Sequence, residues 1–375
     1  MDRPQRDYQK LYRILLILFI ISFSGNVLML GLYLQGRKSG APFTSEESIK
    51  VGEIKKIEVA KSIEVPKKIE APKKLEVPKK DEVTKKDVGG QEVEPTPPAG
   101  MIPLSFIYVK ENEHILICEK KSKTLALYRS TDTGFSFVKS YPSIVGSNHV
   151  DKKEAGDRAT PEGVYFLISF MTGASLPEKY GYGAYSLNYP NFLDRREGKK
   201  GNGIWLHGYR PHLERPPFSE GCVVVKDEDL KELSNHLRVG DTPLAIVDTV
   251  QYQSPEDQKK RLEGLSQFLK EWKTAWEGRN TEKYIGFYAK DFVSSDGKNY
   301  QKFKEYKYRV NQGKRFIQVR IEPKSYLLSQ KDGGNLAILR VNQNYRSDNF
   351  ASFSRKILYL RENQRRWEII GETTF

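Results

Sequence analysis

From Ile14 to Leu34 the chain is an apolar run of 21 residues, interrupted only by Ser22, Ser24, Gly25, Asn26, Gly31 and Tyr33. A helix rises about 1.5 Å per residue, so this run is long enough to cross a hydrocarbon layer of about 30 Å. Arg3, Arg6, Lys10 and Arg13 precede it, and Arg37 and Lys38 follow it, a modest bias toward a cytoplasmic N-terminus. A cleavable signal peptide has a core of about 7–15 residues and a small-x-small cleavage site, and neither is found here. The pattern predicts a cytoplasmic segment over 1–13 and an uncleaved transmembrane anchor over 14–34. The rest of the chain is then expected outside the cytoplasm.

The periodicity then changes. From Ile57 six-residue units follow one another: IEVAKS, IEVPKK, IEAPKK, LEVPKK, DEVTKK. Pro66, Pro72 and Pro78 forbid a continuous helix, and the unit is too short for a solenoid repeat. So little apolar area cannot offset chain entropy, which predicts a disordered linker over 35–100 that acts as a stalk. Its lysines also suit weak contact with an anionic polymer.

Residues 101–250 alternate with a period of two. Strands are expected at Phe106–Val109, Ile115–Ile117, Thr124–Tyr128 and Val164–Ile168, separated by turn-rich pieces. Only Asp227–Leu237, with Leu230, Leu233 and Leu237 at helical spacing, reads as a helix there. This is a mainly β domain. Over 255–375 the order differs: an amphipathic helix at Pro255–Trp276, a second at Thr281–Tyr288, then strands at 316–321, 326–329, 335–345, 352–360 and 366–372. Helices followed by a meander predict an α+β cone, with an apolar mouth lined from helices and sheet.

Composition alters this picture in two ways. Lys and Arg exceed Asp and Glu by 62 − 48 = 14, which favours acidic partners. An anchored, exported chain argues against nucleic acid as that partner. The two cysteines, Cys118 and Cys222, exclude a disulfide scaffold and an all-cysteine metal site.

Candidate chemistry lies between His207 and Cys222, in GNGIWLHGYRPHLERPPFSEGCVVVKDEDLKEL. A thiol attacks as thiolate, and an adjacent imidazole is the usual means of generating one near neutral pH. Cys222 follows Gly221 and precedes an acidic helix start at Asp227, and the Gly221 and Cys222 N–H groups are candidate oxyanion donors. A Cys and a His fifteen residues apart are equally compatible with a buried thiol and a surface imidazole. A Cys118–Cys222 disulfide would remove the nucleophile. Cys118, in an alternating strand, reads as core. His212 reads as an exposed loop residue, and His114, His149 and His236 have no ligand-like spacing.

His-Gly, a gap, then Ser-x-Gly-Cys-Val and an acidic helix start together resemble the catalytic motif of the YkuD-type L,D-transpeptidases. Upstream, ATPEGVYFL resembles that family's TPxGxF segment, EKKSKTLALY its opening hairpin and SYPSIVGS the piece that follows. The resemblance implies acyl transfer on peptidoglycan tetrapeptide stems. Cys222 would be the nucleophile and His207 the general base, with Gly221 beside the oxyanion and Ser219 orienting the loop. Gly208 lies in the substrate-binding part, and no metal or organic cofactor is implied. D-Alanine would leave through a thioester. Amine attack then gives a cross-link and water gives a trimmed tripeptide. Two positions depart from the family pattern: Glu220 stands where His is usual, and Val224 where Arg or Asn is usual. Valine cannot bind a substrate carboxylate, and Arg210 and Arg215, on the same loop, are candidates to do so in its place.

The C-terminal segments WKTAWEGRNTEKYIGFYAKDF and YLRENQRRWEIIGE resemble the SnoaL-like branch of the NTF2-like fold. That fold hosts enzymes and binding modules alike. No His or Cys occurs in 255–375, so recognition of a glycan or protein partner is expected there rather than bond cleavage. The pairing of the two domain types resembles the cell-shape L,D-carboxypeptidases of helical bacteria. The expectation is thus a single-pass protein of the bacterial inner membrane with its catalytic part in the periplasm. It acts as L,D-transpeptidase, with L,D-carboxypeptidase as alternative and a non-catalytic peptidoglycan-binding scaffold as a further one.

Overall fold

The computed structural model describes residues 97–374, apart from 174–175, 211–216, 332 and 334. The expected anchor at 14–34, most of the repeat linker and Arg215 lie outside the described residues. Among the described residues no helix is long and apolar enough to cross a membrane.

In chain order the elements are β1 (Ile102–Pro103), β2 (Phe106–Val109), β3 (His114–Glu119), β4 (Thr124–Thr131), β5 (Gly134–Pro142), β6 (Gly163–Thr172), a 3₁₀ turn (Glu178–Tyr180) and β7 (Gly183–Leu187). Next come α1 (Phe192–Arg196), β8 (Trp205–Tyr209), β9 (Val223–Lys226), α2 (Asp227–Ser234), β10 (Pro243–Val247) and β11 (Tyr252–Gln253). The chain closes with α3 (Pro255–Glu277), α4 (Thr281–Ile285), β12 (Tyr288–Val293), α5 (Tyr300–Gln312), β13 (Ile317–Ser329), β14 (Leu336–Ser347), β15 (Ala351–Asn363) and β16 (Arg366–Thr374).

Eight strands form the first sheet, in the order β5-β4-β3-β10-β6-β7-β8-β9. The β10–β3 and β8–β9 pairs are parallel. On one face α2 packs Leu230 and Leu233 against Leu206, Val223 and Val225. The second sheet runs β12-β16-β15-β14-β13-β2. Its concave face is filled by α3 through Leu265, Phe268, Leu269, Trp272 and Trp276, spaced as one helical stripe. Ser254 caps that helix by accepting the Asp257 N–H at 3.1 Å, and Pro255 occupies its first turn, where no N–H is needed.

β2 precedes the first sheet in the chain yet pairs antiparallel with β13 of the second. Gln253 Nε2 donates to the Leu104 and Phe106 carbonyls at 3.3 and 3.2 Å, holding this crossing segment in place. The remaining faces of the two sheets share one core. Phe106, Ile115, Ile117, Val164, Phe166 and Val247 meet Leu327, Ile338, Ile357, Tyr359 and Ile370 there. Polar contacts rim this seam. Buried Arg340 donates to the Asp241 carbonyl and carboxylate at 3.0 and 2.7 Å, and Lys331 pairs with Asp151 at 2.9 Å. Phe192 stacks on Tyr359 with centroids 4.8 Å apart.

The cone interior is packed with aromatics, Trp272, Trp276, Tyr284, Tyr288, Phe292 and Phe303 among them. At the sheet and the end of α3 a groove of about 710 Å³ opens, mixed in lining: Arg320 and Arg346 with the Glu277 carboxylate, beside Val319, Tyr345 and Phe353. The expected helix over 281–288 is shorter, because Tyr288 already pairs with Ile369 as strand β12.

Candidate active site

The parallel pairing of β8 and β9 sets His207 and Cys222 on neighbouring strand segments. In that ladder Leu206 lies opposite Val223 and His207 opposite Val224. Side chains alternate along a strand, so Leu206, Val223 and Val225 point into the α2 core. His207, Val224 and Cys222 therefore share the other face, with Cys222 one step before β9 and diagonal to the imidazole. Ile144 bridges to Val224 and extends this face, where Ile144, Tyr209, Val224 and Cys222 cluster.

The imidazole orientation is fixed by the backbone. His207 Nδ1 lies 2.7 Å from the Gly208 carbonyl oxygen. A carbonyl only accepts, so Nδ1 carries the proton and Nε2 keeps a free lone pair. The ring is buried, and burial lowers its pKa to about 4 against the partial support of that carbonyl. Burial likewise pushes the Cys222 thiol up, while a hydrogen bond from the Trp205 backbone N–H opposes it. Desolvation disfavours both charged forms, so the resting pair is thiol and imidazole. Such a pair can take up a thiol proton at Nε2 as the sulfur bonds to an electrophile.

This shift has a consequence for stability. The unfolded histidine binds its proton below its ordinary value of 6.5, the folded one only near 4. Between these values the unfolded state holds more protons, so stability is lost as pH falls from 6.5 toward 4, on the order of 3 kcal/mol. His207→Gln, which cannot titrate, should flatten that part of the dependence of Tm on pH. Equal slopes in both proteins would remove the buried neutral histidine from the account.

The Ser219–Cys222 loop is tightly cross-bonded. Ser219 Oγ donates to the Cys222 carbonyl at 2.6 Å and accepts the Gly221 N–H at 3.1 Å. The Gly221 N–H, expected to face an oxyanion, is therefore engaged within the loop. Gly221 has φ +126°, and a Cβ there would stand 2.7 Å from the Ala159 carbonyl, so only glycine fits. Glu220 is exposed, and its charge raises the thiol pKa. Val224 is buried and offers no cation.

The substrate-binding candidates fall differently. Arg210 is exposed and forms an ion pair with Glu178 at 3.0 Å, so its charge is already matched. Gly208 is buried beneath Asp227, whose carboxylate leaves no room for a side chain there. Asp227 does more than start a helix: its Oδ1 accepts the Tyr182 N–H at 2.8 Å and ties the 3₁₀ turn to α2. That turn escaped sequence reasoning, although Pro177 before it and Gly181 after it are turn signals. It sets Tyr180 edge-on to His207, with centroids 4.9 Å apart at 90°.

Other expectations resolve simply. Both cysteines are free thiols. Cys118 is fully buried in the first core, its pKa pushed up to about 12 by burial, which leaves it inert. His149 is exposed, and His212 lies outside the described residues. His114 and His236 meet with ring centroids 4.7 Å apart, a contact their separation in sequence did not signal. Among the described residues no cluster of three metal-ligating side chains occurs.

Comparison with known proteins agrees with this architecture. Residues 113–247 match the family of the YkuD L,D-transpeptidase catalytic domain, and residues 264–373 that of the Cds6 C-terminal NTF2-like domain. The putative L,D-transpeptidase YafK of Escherichia coli K12 is 27% identical over 115 residues, 30% of this chain. The match spans 43% of that relative's length. The structure of Bdellovibrio bacteriovorus Bd1075 superposes with a TM-score of 0.63 at 28% identity, covering 73% of this chain and 99% of that one. The helical cell shape determining protein Pgp2 of Campylobacter jejuni shares the fold, with a TM-score of 0.61 at 24% identity over 72% of this chain and 95% of that one. Residues 113–247 are thus similar to a YkuD L,D-transpeptidase catalytic domain and residues 264–373 to an NTF2-like domain, and the chain shares the fold of this pairing with solved bacterial proteins.

Proposed function

We propose that this protein is a membrane-anchored, peptidoglycan-modifying enzyme of the cell envelope in which Cys222 performs acyl transfer on tetrapeptide stems. The observation that supports this reading is that the register of a parallel strand pair puts His207 and Cys222 on one face, diagonal to each other, within the residues that match a YkuD domain, with His207 Nδ1 tied to a carbonyl and Nε2 left to take a proton.

In the first step, Cys222 Sγ bonds to the carbonyl carbon that joins the diamino acid to the terminal D-alanine. Its proton passes to His207 Nε2. The tetrahedral adduct then collapses, the C–N bond breaks and the D-alanine nitrogen takes that proton as it leaves. A thioester remains. His207, again neutral, removes a proton from the incoming acceptor, and the sulfur regains a proton when the thioester opens. An amine acceptor gives an L,D-cross-link. Water gives a tripeptide, the carboxypeptidase alternative, which is supported by the resemblance of the domain pairing to the cell-shape carboxypeptidases. The NTF2-like domain, which offers a groove of mixed polar and apolar lining with an exposed Phe353, serves recognition of glycan or a protein partner.

Incubation of the soluble part with disaccharide tetrapeptides, read by mass, tests this directly. The expected outcome is release of D-alanine with either a cross-linked dimer or a tripeptide, and a covalent carbapenem adduct on Cys222. A protein giving neither product nor adduct would be the binding scaffold instead.

A further inference from the structure

Among the described residues of the loop between His207 and Cys222 the one arginine, Arg210, is matched by Glu178, and Val224 beyond the loop is buried and apolar. The same 3₁₀ turn that holds Glu178 carries Lys179 one residue on. Lys179 is exposed, and among the described residues it forms no ion pair. Its Nζ stands 5.0 Å from the centre of the Tyr180 ring. That ring in turn abuts His207 edge-on and lies 4.7 Å from Trp205. The Lys179 charge reaches both reacting groups, since it lowers the pKa of His207 and of Cys222 alike.

The turn is also held from both sides. Arg210 binds Glu178 at its start, and buried Asp227 binds the Tyr182 N–H just after it. Gly181 between them adopts φ +63°, with no room for a Cβ beside the Asp227 carboxylate. Lys179 is therefore carried by a pinned turn, so the backbone that bears the charge is set before substrate arrives and only the side chain is ordered on binding.

From this geometry, and resting on the peptidoglycan reading above, we propose that Lys179 is the specificity residue that binds the carboxylate of the stem's terminal D-residue, with Arg210 acting as a strut for the turn. A terminal carboxylate sits two bonds from the nitrogen of the scissile amide, so a cation one ring away from His207 is within reach of it. A lysine ammonium binds it as a point charge with rotatable donors. Tyr180 and Trp205 form the wall beneath it. Selection for a free terminal carboxylate would confine attack to the last bond of the stem.

The test compares three substrates: the free tetrapeptide, the same peptide amidated at its terminal carboxylate, and the peptide amidated at the carboxylate on the diamino-acid side chain. Wild-type protein should lose roughly ten- to a hundredfold in kcat/KM on the terminal amide, mainly through KM. Lys179→Ala should lose a similar factor on the free acid and cease to distinguish it from the amide, and Lys179→Arg should recover most of that loss. Tm should stay within a few degrees of wild type, because the ammonium is exposed. Should discrimination fall on the side-chain amide and vanish in Lys179→Ala, the terminal assignment is overturned in favour of the other carboxylate. Discrimination retained in Lys179→Ala overturns the lysine altogether. If wild-type protein turns over none of the three, the peptidoglycan reading fails, and the assignment falls with it.

Discussion

Cys222→Ser should leave the protein folded and lower D-alanine release by roughly a thousandfold or more. The reason lies in the resting charges. Burial already raises the thiol pKa and lowers that of His207, so no standing thiolate is available. Proton transfer must accompany attack, and a hydroxyl, several units less acidic than a thiol, makes that transfer far more costly for one buried imidazole whose only oriented partner is a backbone carbonyl. Cys222 is partly exposed and its sulfur lies 3.6 Å from the Gly203 carbonyl, so oxygen fits the space without a clash. The measurement is turnover of disaccharide tetrapeptide beside a thermal melt. Activity near wild type in a folded variant would take Cys222 out of the mechanism.

A chain ending at Val250 is expected not to fold as a cooperative unit, whereas residues 97–375 should unfold in one transition. Truncation there deletes β13, the partner of β2, and α3, and uncovers the shared inter-sheet core at Phe106, Ile115, Ile117, Val164, Phe166 and Val247. Each fully buried side chain of that size is worth about 1.5–3 kcal/mol, so uncovering six of them costs as much as about 9–18 kcal/mol, the scale of the whole stability of a domain. Circular dichroism melts of the two chains decide it. A sharp transition in the shorter chain would show that the seam is dispensable. The role of the NTF2-like domain is therefore better probed by point substitution in its groove than by removal.

How far the sequence could be read depended on whether an element buries its own regular stripe. Helix α3 was legible because Leu265, Phe268, Leu269, Trp272 and Trp276 recur at helical spacing and are buried. Helix α5 was not: of its thirteen residues only Phe303 and Asn311 are buried, and three Tyr and three Lys make up most of the others. β13 read as two strands because Pro323 interrupts the pattern, whereas the structure carries one strand across a register shift at Pro323/Ser325. In the candidate site, His207 and Cys222 could be singled out because their types and flanking glycines are chemically distinctive. The roles of Asp227 and the 3₁₀ turn were not, since each depends on a contact with residues 20 to 50 positions away that no local spacing encodes. Nor did local pattern show that β2 belongs to the second sheet, because an edge strand's partner is a property of the assembled seam.

That crossing has a consequence for how the protein is made. Phe106 pairs with Leu327, so about 220 residues separate the two halves of one strand pair. A chain emerging from its amino end exposes β2, and the apolar strand faces that follow, long before their cover has been synthesised. The two domains therefore cannot mature one after the other as independent beads. They condense together only once the chain has been made through Ile370, the last residue of the shared core, and until then the nascent chain depends on staying unfolded or on being held by a chaperone.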